Sequence, residues 1–309
     1  MSITRVSLLL GVFRLQSFYT GMNSKTRFNV IAVLIILLWT ALIYCNTFSN
    51  SFHYDDKAAI TDNEIVRDIS NLYRIHKVYR PALNITFILN YYFNGWDVFG
   101  YHLVNLITHI LVCILIYFIV DGLCSRSNGN NNYIAKGNRI NLFPIFTSLT
   151  FATHPINSQT VNYISARSSS LCALFYLLSF YLFMKYLTGA RIQNSESRIQ
   201  NEMDAGIQKN ERYKKCGFKC ILFYLGSLVS FILALATRET AVTLPAMLLI
   251  YDYCFCAAET SGGRNGETEK NFSVSPLVTA FGCGAMDFPR FIVLKFKLYH
   301  IPYWSIIVI

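Results

Sequence analysis

The sequence predicts an all-α, multi-pass membrane protein with six or seven transmembrane helices, and three observations predict it. Of 309 residues, 53% are hydrophobic and 14% charged, with a mean hydropathy of +0.37, well above an ordinary soluble domain. Several runs approach the roughly 20 apolar residues needed to cross about 30 Å of hydrocarbon. The Lys and Arg residues gather in alternate loops between those runs, as the positive-inside rule requires. The net charge of +10 therefore does not mark a nucleic-acid binder, because no contiguous basic face accompanies it.

Residues 1–27 form a cytosolic N-terminal segment, carrying Arg5, Arg14, Lys25 and Arg27 and no acid. The stretch "VSLLLGVF" within it is short, Arg14 follows it and no small-residue cleavage site stands out, so the first long span is an uncleaved anchor. That span is Phe28 to Phe48, opening a membrane domain over 28–258. The next loop, 49–101, falls on the lumenal or exterior side. There Asp55, Asp56, Asp62, Glu64, Asp68 and Asp97 slightly outnumber Lys57, Arg67, Arg74, Lys77 and Arg80. A second span, His102 to Val120, returns the chain to the basic loop "DGLCSRSNGNNNYIAKGNRI". The third, Leu142 to Thr153 with its continuation, is the weakest, because its apolar part is short and "HPINSQ" follows. Ser168 to Leu187, Phe218 to Thr237 and Ala241 to Ala258 complete six. Residues 259–309 are a divergent tail in which Phe291 to Ile309 reads as a last span, an interfacial segment or a truncated end. Two sequons test this topology: "NIT" at Asn84 on the lumenal side and "NFS" at Asn271 on the cytosolic side. The nine cysteines, mostly inside or beside apolar runs, suggest neither a disulfide framework nor a zinc site; Cys216 and Cys220 lack further ligands at metal spacing.

On this topology the polar groups sort onto one side. Asp55 and Asp56 open the first noncytosolic loop, "VYRP" (Val78 to Pro81) sits within it, "HPINSQTVNYISAR" (His154 to Arg167) joins spans three and four, and "TRET" (Thr237 to Thr240) joins spans five and six. Adjacent acids after a span are often merely solvated. They also repel, so one of them suits a base toward an acceptor hydroxyl, or the pair holds a cation. Arg80 reads as an interfacial anchor or as a lipid-phosphate contact through paired donors. Arg238 beside Glu239 is harder to explain blandly, since a turn this short between apolar spans needs no charge. His102, Asn105 and His109 share one helix face; the two outer residues could reach the site, while His109 lies deeper and suits interhelical bonding. Ser168, Ser169 and Ser170 read as helix-start and packing residues.

In order, "YDDKAAITDN", "YRPALNITFILNYYFNGWDVFGYHLVNLITHIL", "FATHPINSQTVNYISARSSSL" and "RETAVTLPAMLLIYDY" resemble the membrane half of the transmembrane and tetratricopeptide-repeat O-mannosyltransferases, over about Phe48 to Tyr253. The resemblance implies a GT-C-like helical bundle of the endoplasmic reticulum membrane whose first lumenal loop carries the acidic pair. It implies transfer of mannose from dolichyl-phosphate mannose to Ser or Thr hydroxyls of acceptor proteins in the lumen. The shared membrane face of these stretches fits that reaction, with Asp55 or Asp56 in the catalytic role as base, Arg80 and Arg238 at the donor phosphate, and His102, Asn105, His154, Arg167 and Glu239 in support. The partners implied are the lipid-linked donor, acceptor proteins and membrane lipid, with no nucleic acid. No metal ligand and no cofactor beyond the donor follows, and a divalent cation is left open. Two positions depart from the family pattern: Ser169 stands where an acid is usual, and Arg238 where Lys is usual. After Tyr253 nothing carries a 34-residue helical-repeat signature, so no tetratricopeptide repeats are expected. The alternatives are a noncatalytic truncated homologue, a membrane subunit of another complex and, third, a transporter.

Overall fold

The computed structural model describes residues 22–127, 141–202, 211–252 and 254, and among them there is no strand. Four helices are long and apolar enough to cross a membrane: α1 (Ser24–Ile43), α3 (Val98–Ser127), α6 (Arg167–Glu202) and α7 (Glu211–Leu235). Their apolar residues surround the helix rather than striping it, which is what a helix between protein and lipid requires. On α1 only Ala32, Ile36 and Thr40 are buried, an i, i+4, i+8 line, while Leu34, Leu38 and Leu42 face outward.

Named contacts set the directions. Lys25 near the start of α1 pairs with Asp121 near the end of α3 at 3.3 Å, and Tyr117 donates to Asn29 Oδ1 at 2.9 Å, so the two helices are antiparallel. Helices α3 and α6 are parallel: Arg167 reaches the Tyr101 carbonyl at their starts, and Arg126, near the end of α3, reaches the Met184 carbonyl at the middle of α6. Helix α7 runs back against α6, with Ser179 and Ser227 exchanging hydroxyl-to-carbonyl bonds of 2.8 and 2.7 Å at mid-length. Gly189 permits that approach, since a Cβ there would come within 2.7 Å of Cys220 Sγ.

Because α3 and α6 are parallel, the chain must recross between them, and it does so in pieces. Helix α4 (Phe143–Thr153) has 11 residues, about 16 Å, roughly half a crossing. It stops because His154, immediately before Pro155, is forced out of the helical region (φ −65°, ψ 128°). Its end lies at the depth of Tyr44 and His109, with Tyr44 donating to the Ala152 carbonyl at 3.3 Å. The short α5 (Asn157–Asn162) and the 3-10 turn Ile164–Ala166 complete the passage. Side chains close the broken backbone: Asn157 donates to the Phe151 carbonyl at 2.6 Å, and Asn105 to those of Val161 and Tyr163 at 3.4 Å each.

The described residues do not confirm a count of six or seven full spans. The third run is the half-length α4, and the sixth is described as a 3-10 turn (Glu239–Thr243) followed by the nine-residue α8 (Leu244–Asp252). The last run, the Asn271 sequon and the N-terminal stretch through residue 21 lie outside the described residues. The first loop is also more than a loop. It contains α2 (Pro81–Asn94), whose start bonds to the end of α7 through Ala82 N–H to Ala236 O at 3.2 Å, and whose Asn90 donates to Gly100 O at the start of α3. Helix α2 therefore lies across the ends of α7, α6 and α3. Beneath it Ile60, Val66, Phe87, Tyr101 and Ile164 form one buried cluster.

Candidate active site

The bundle has one face where α1 and α7 end and α3 and α6 begin, and two clusters sit on it. The first is built around Asp56, which is buried, with 1% of its surface exposed. Its Oδ1 accepts the Ser165 N–H at 2.7 Å and its Oδ2 the His53 N–H at 3.1 Å. Asp55 points the other way: its carboxylate is exposed, and its backbone N–H donates to the Tyr163 hydroxyl at 3.0 Å. The two acids are successive residues of a helical turn, which sets neighbouring side chains about 100° apart, and Tyr54 just before them adopts a left-handed φ of 43°. Adjacent acids thus divide between an open carboxylate able to meet a hydroxyl and a sealed one that pins the loop to the start of α6.

The second cluster gathers Tyr79, Arg80, Ser169, Arg238 and Glu239. Arg80 has a φ of 56°, and it and Tyr54 are the two non-glycine residues in the left-handed region among those described. Such backbone costs of order 1–3 kcal/mol and persists only where surroundings impose it. At Arg80 they do, since Asn84 donates to the carbonyls of Tyr79 at 2.8 Å and Arg80 at 3.2 Å. The Arg80 guanidinium lies 4.8 Å from the Tyr79 ring centre, and its Nε is buried without a hydrogen-bond partner. Tyr79 donates to Glu239 Oε1 at 2.5 Å, and Arg238 donates to the Ser169 hydroxyl. The Glu239 carboxyl is held below its ordinary range, first by the Tyr79 phenol, with Arg80 and Arg238 adding to the effect.

One short segment carries both clusters. Ser165 binds Asp56 and Ser169 binds Arg238, and these two residues stand four positions apart on 3-10 turn and helix, about 7 Å of rise. Between them Arg167 is wholly buried. It donates to Asn105 Oδ1 and Asn90 Oδ1 at 2.7 Å each, to Tyr101 O at 2.9 Å and to Thr86 Oγ1 at 3.3 Å. Every one of those acceptors is neutral, and they come from α2 and α3, so Arg167 joins three helices from within.

The remaining sequence candidates sit around these clusters. His102 is buried, its ring nitrogens facing the Asn50 carbonyl at 3.1 Å and the Thr47 hydroxyl at 3.5 Å. With Asn105 it holds the entering and returning chain rather than opening onto solvent. His154 is exposed, and its Nδ1 accepts the Ile156 N–H at 3.3 Å within the broken crossing. Among the described residues no hydrogen bond links it to either cluster. His109 packs against the rings of Tyr44 and Phe151. Sequence reasoning missed Tyr79, Tyr163, Ser165 and the role of Ser169. Tyr79 had a signal, standing beside Arg80 in "VYRP"; the others act through a hydroxyl or a backbone group that sequence does not distinguish.

No family model matches the chain, and no solved structure matches it. Among curated proteins it is similar to the protein O-mannosyl-transferase TMTC4 of Mus musculus, 31% identical over 168 residues, covering 48% of this chain and 22% of the relative. The protein O-mannosyl-transferase TMTC4 of Homo sapiens is 30% identical over 184 residues, 53% of this chain and 24% of the relative. The protein O-mannosyl-transferase TMTC1 of Homo sapiens is 25% identical over 243 residues, 74% of this chain and 24% of the relative. The chain spans about a quarter of the length of these relatives.

Proposed function

We propose, for a chain whose membrane region is similar over about half its length to protein O-mannosyl-transferases, that the polar face transfers mannose from dolichyl-phosphate mannose to protein Ser or Thr hydroxyls, and that this face is lumenal in the endoplasmic reticulum. One observation carries the reading: the two ends of one five-residue segment, Ser165 to Ser169, hold Asp56, whose neighbour Asp55 is an exposed carboxylate, and Arg238, whose neighbour Glu239 bonds to Tyr79 beneath the Arg80 guanidinium, so an acid and two arginines share one support. Glycosyl transfer from a lipid phosphate needs those two functions side by side. Asp55 takes the proton as the acceptor hydroxyl oxygen attacks the anomeric carbon. The bond from that carbon to the phosphate oxygen breaks, and the charge gathering on the leaving phosphate falls to Arg80 and Arg238. Asp56, Arg167, His102 and Asn105 keep the acid and the arginines in register without touching the reacting atoms. The outward apolar surface of α1, with Leu34, Leu38 and Leu42 exposed, suits immersion in lipid, where the donor resides.

The direct test is mannose transfer from labelled dolichyl-phosphate mannose into acceptor protein by microsomes with and without the chain. Added transfer is expected with it. No difference at matched expression sinks the enzymatic reading and leaves a noncatalytic membrane homologue.

A further inference from the structure

Glu239 sits beside two arginines, yet it makes no ion pair with either among the described residues. Its partner is instead the Tyr79 phenol at 2.5 Å, on the ring that lies under the Arg80 guanidinium. Arg238, next to it in the chain, is turned onto the neutral Ser169, and Arg80 Nε has no hydrogen-bond partner. The cluster therefore contains two cations with donor capacity to spare and one exposed carboxylate on the Tyr79 hydroxyl. We propose that Glu239 is a resident anion of this site, competing with the lipid phosphate for Tyr79 and opposing retention of the phosphate product.

The inference rests on the phosphate reading above and adds a direction to it. The donor is a phosphodiester with one negative charge, while the leaving lipid phosphate is a monoester with nearly two at neutral pH. Two arginines by themselves hold the dianion more tightly and slow its departure. A fixed carboxylate nearby repels the dianion twice as strongly as the monoanion. In water at a separation of about 7 Å the repulsion of one unit charge is about threefold in a binding constant, and that of two charges about eightfold. Glu239 is exposed, so its substitution leaves the core untouched.

The experiment is equilibrium binding of a short-chain polyprenyl phosphate, and of its mannosyl phosphodiester, to the full chain in nanodiscs. Glu239→Gln is expected to tighten the monoester about eightfold and the diester about threefold, with both gaps shrinking as salt is raised. Glu239→Asp, which keeps the charge, is expected to bind both near the parental level. A Glu239→Gln chain that binds the monoester equally or more weakly, while Arg80→Ala still weakens it, overturns the resident-anion assignment alone. If neither the parental chain nor Glu239→Gln binds either lipid, the phosphate reading falls and this inference with it.

Discussion

Asp55 and Asp56 are neighbours in the chain and opposites in environment. Asp56 accepts two backbone N–H groups out of solvent, and a hydrogen bond to a charged group contributes about 1.5–3 kcal/mol. Asp56→Asn should therefore loosen the loop and lower the thermal midpoint in detergent, whereas Asp55→Asn should leave that midpoint unchanged. Equal midpoints for the two variants would contradict the division. Arg80 invites a second comparison, because its left-handed backbone is strained for any residue with a Cβ. Arg80→Gly and Arg80→Ala both lose the guanidinium and should both raise the donor concentration required, but the Gly variant should be about 1 kcal/mol the more stable. A Gly variant no more stable than Ala would mean that the turn carries no strain. At this scale the sequence was only partly legible. The paired acids and arginines stood out by type, but which acid faces solvent is set by contacts to Ser165 and Tyr163, far away in the chain.

Among the elements, the start of α6 organises the others. Arg167 bonds to α2 and α3 while Ser165 and Ser169 hold the two clusters, so displacing this turn displaces everything at once. Arg167→Met removes the donor from the buried amide oxygens of Asn105 and Asn90, at about 1–3 kcal/mol each. Arg167→Lys restores one point charge but not the planar fork. Both variants should lose stability, Met more than Lys, and a Met variant melting with the parental chain would remove Arg167 from this role. Helices α1, α3, α6 and α7 were legible because apolar residues surround them on every side. Helix α2 was not, since it lies across helix ends, where polar and apolar residues mix. The break after α4 was marked by Pro155, but sequence could not show that the chain resumes as a polar passage held by Asn105 and Asn157.

For the whole molecule, parallel α3 and α6 put both candidate clusters on one face. That arrangement alters the meaning of the Asn84 sequon. Its amide is buried and bound to the carbonyls of Tyr79 and Arg80, so no glycan should attach there in the folded chain, and glycosidase treatment should produce no mass shift assignable to Asn84. A glycan at that position would mean that the turn around Arg80 is open. The division of labour across this face is the central claim, and the rate of mannose transfer by the Asp55→Asn chain, at saturating donor and with membrane insertion verified, tests it most directly. Loss of a general base typically costs about 100-fold to 10,000-fold, and the account predicts a loss in that range with the thermal midpoint unchanged; transfer at the parental rate would contradict it.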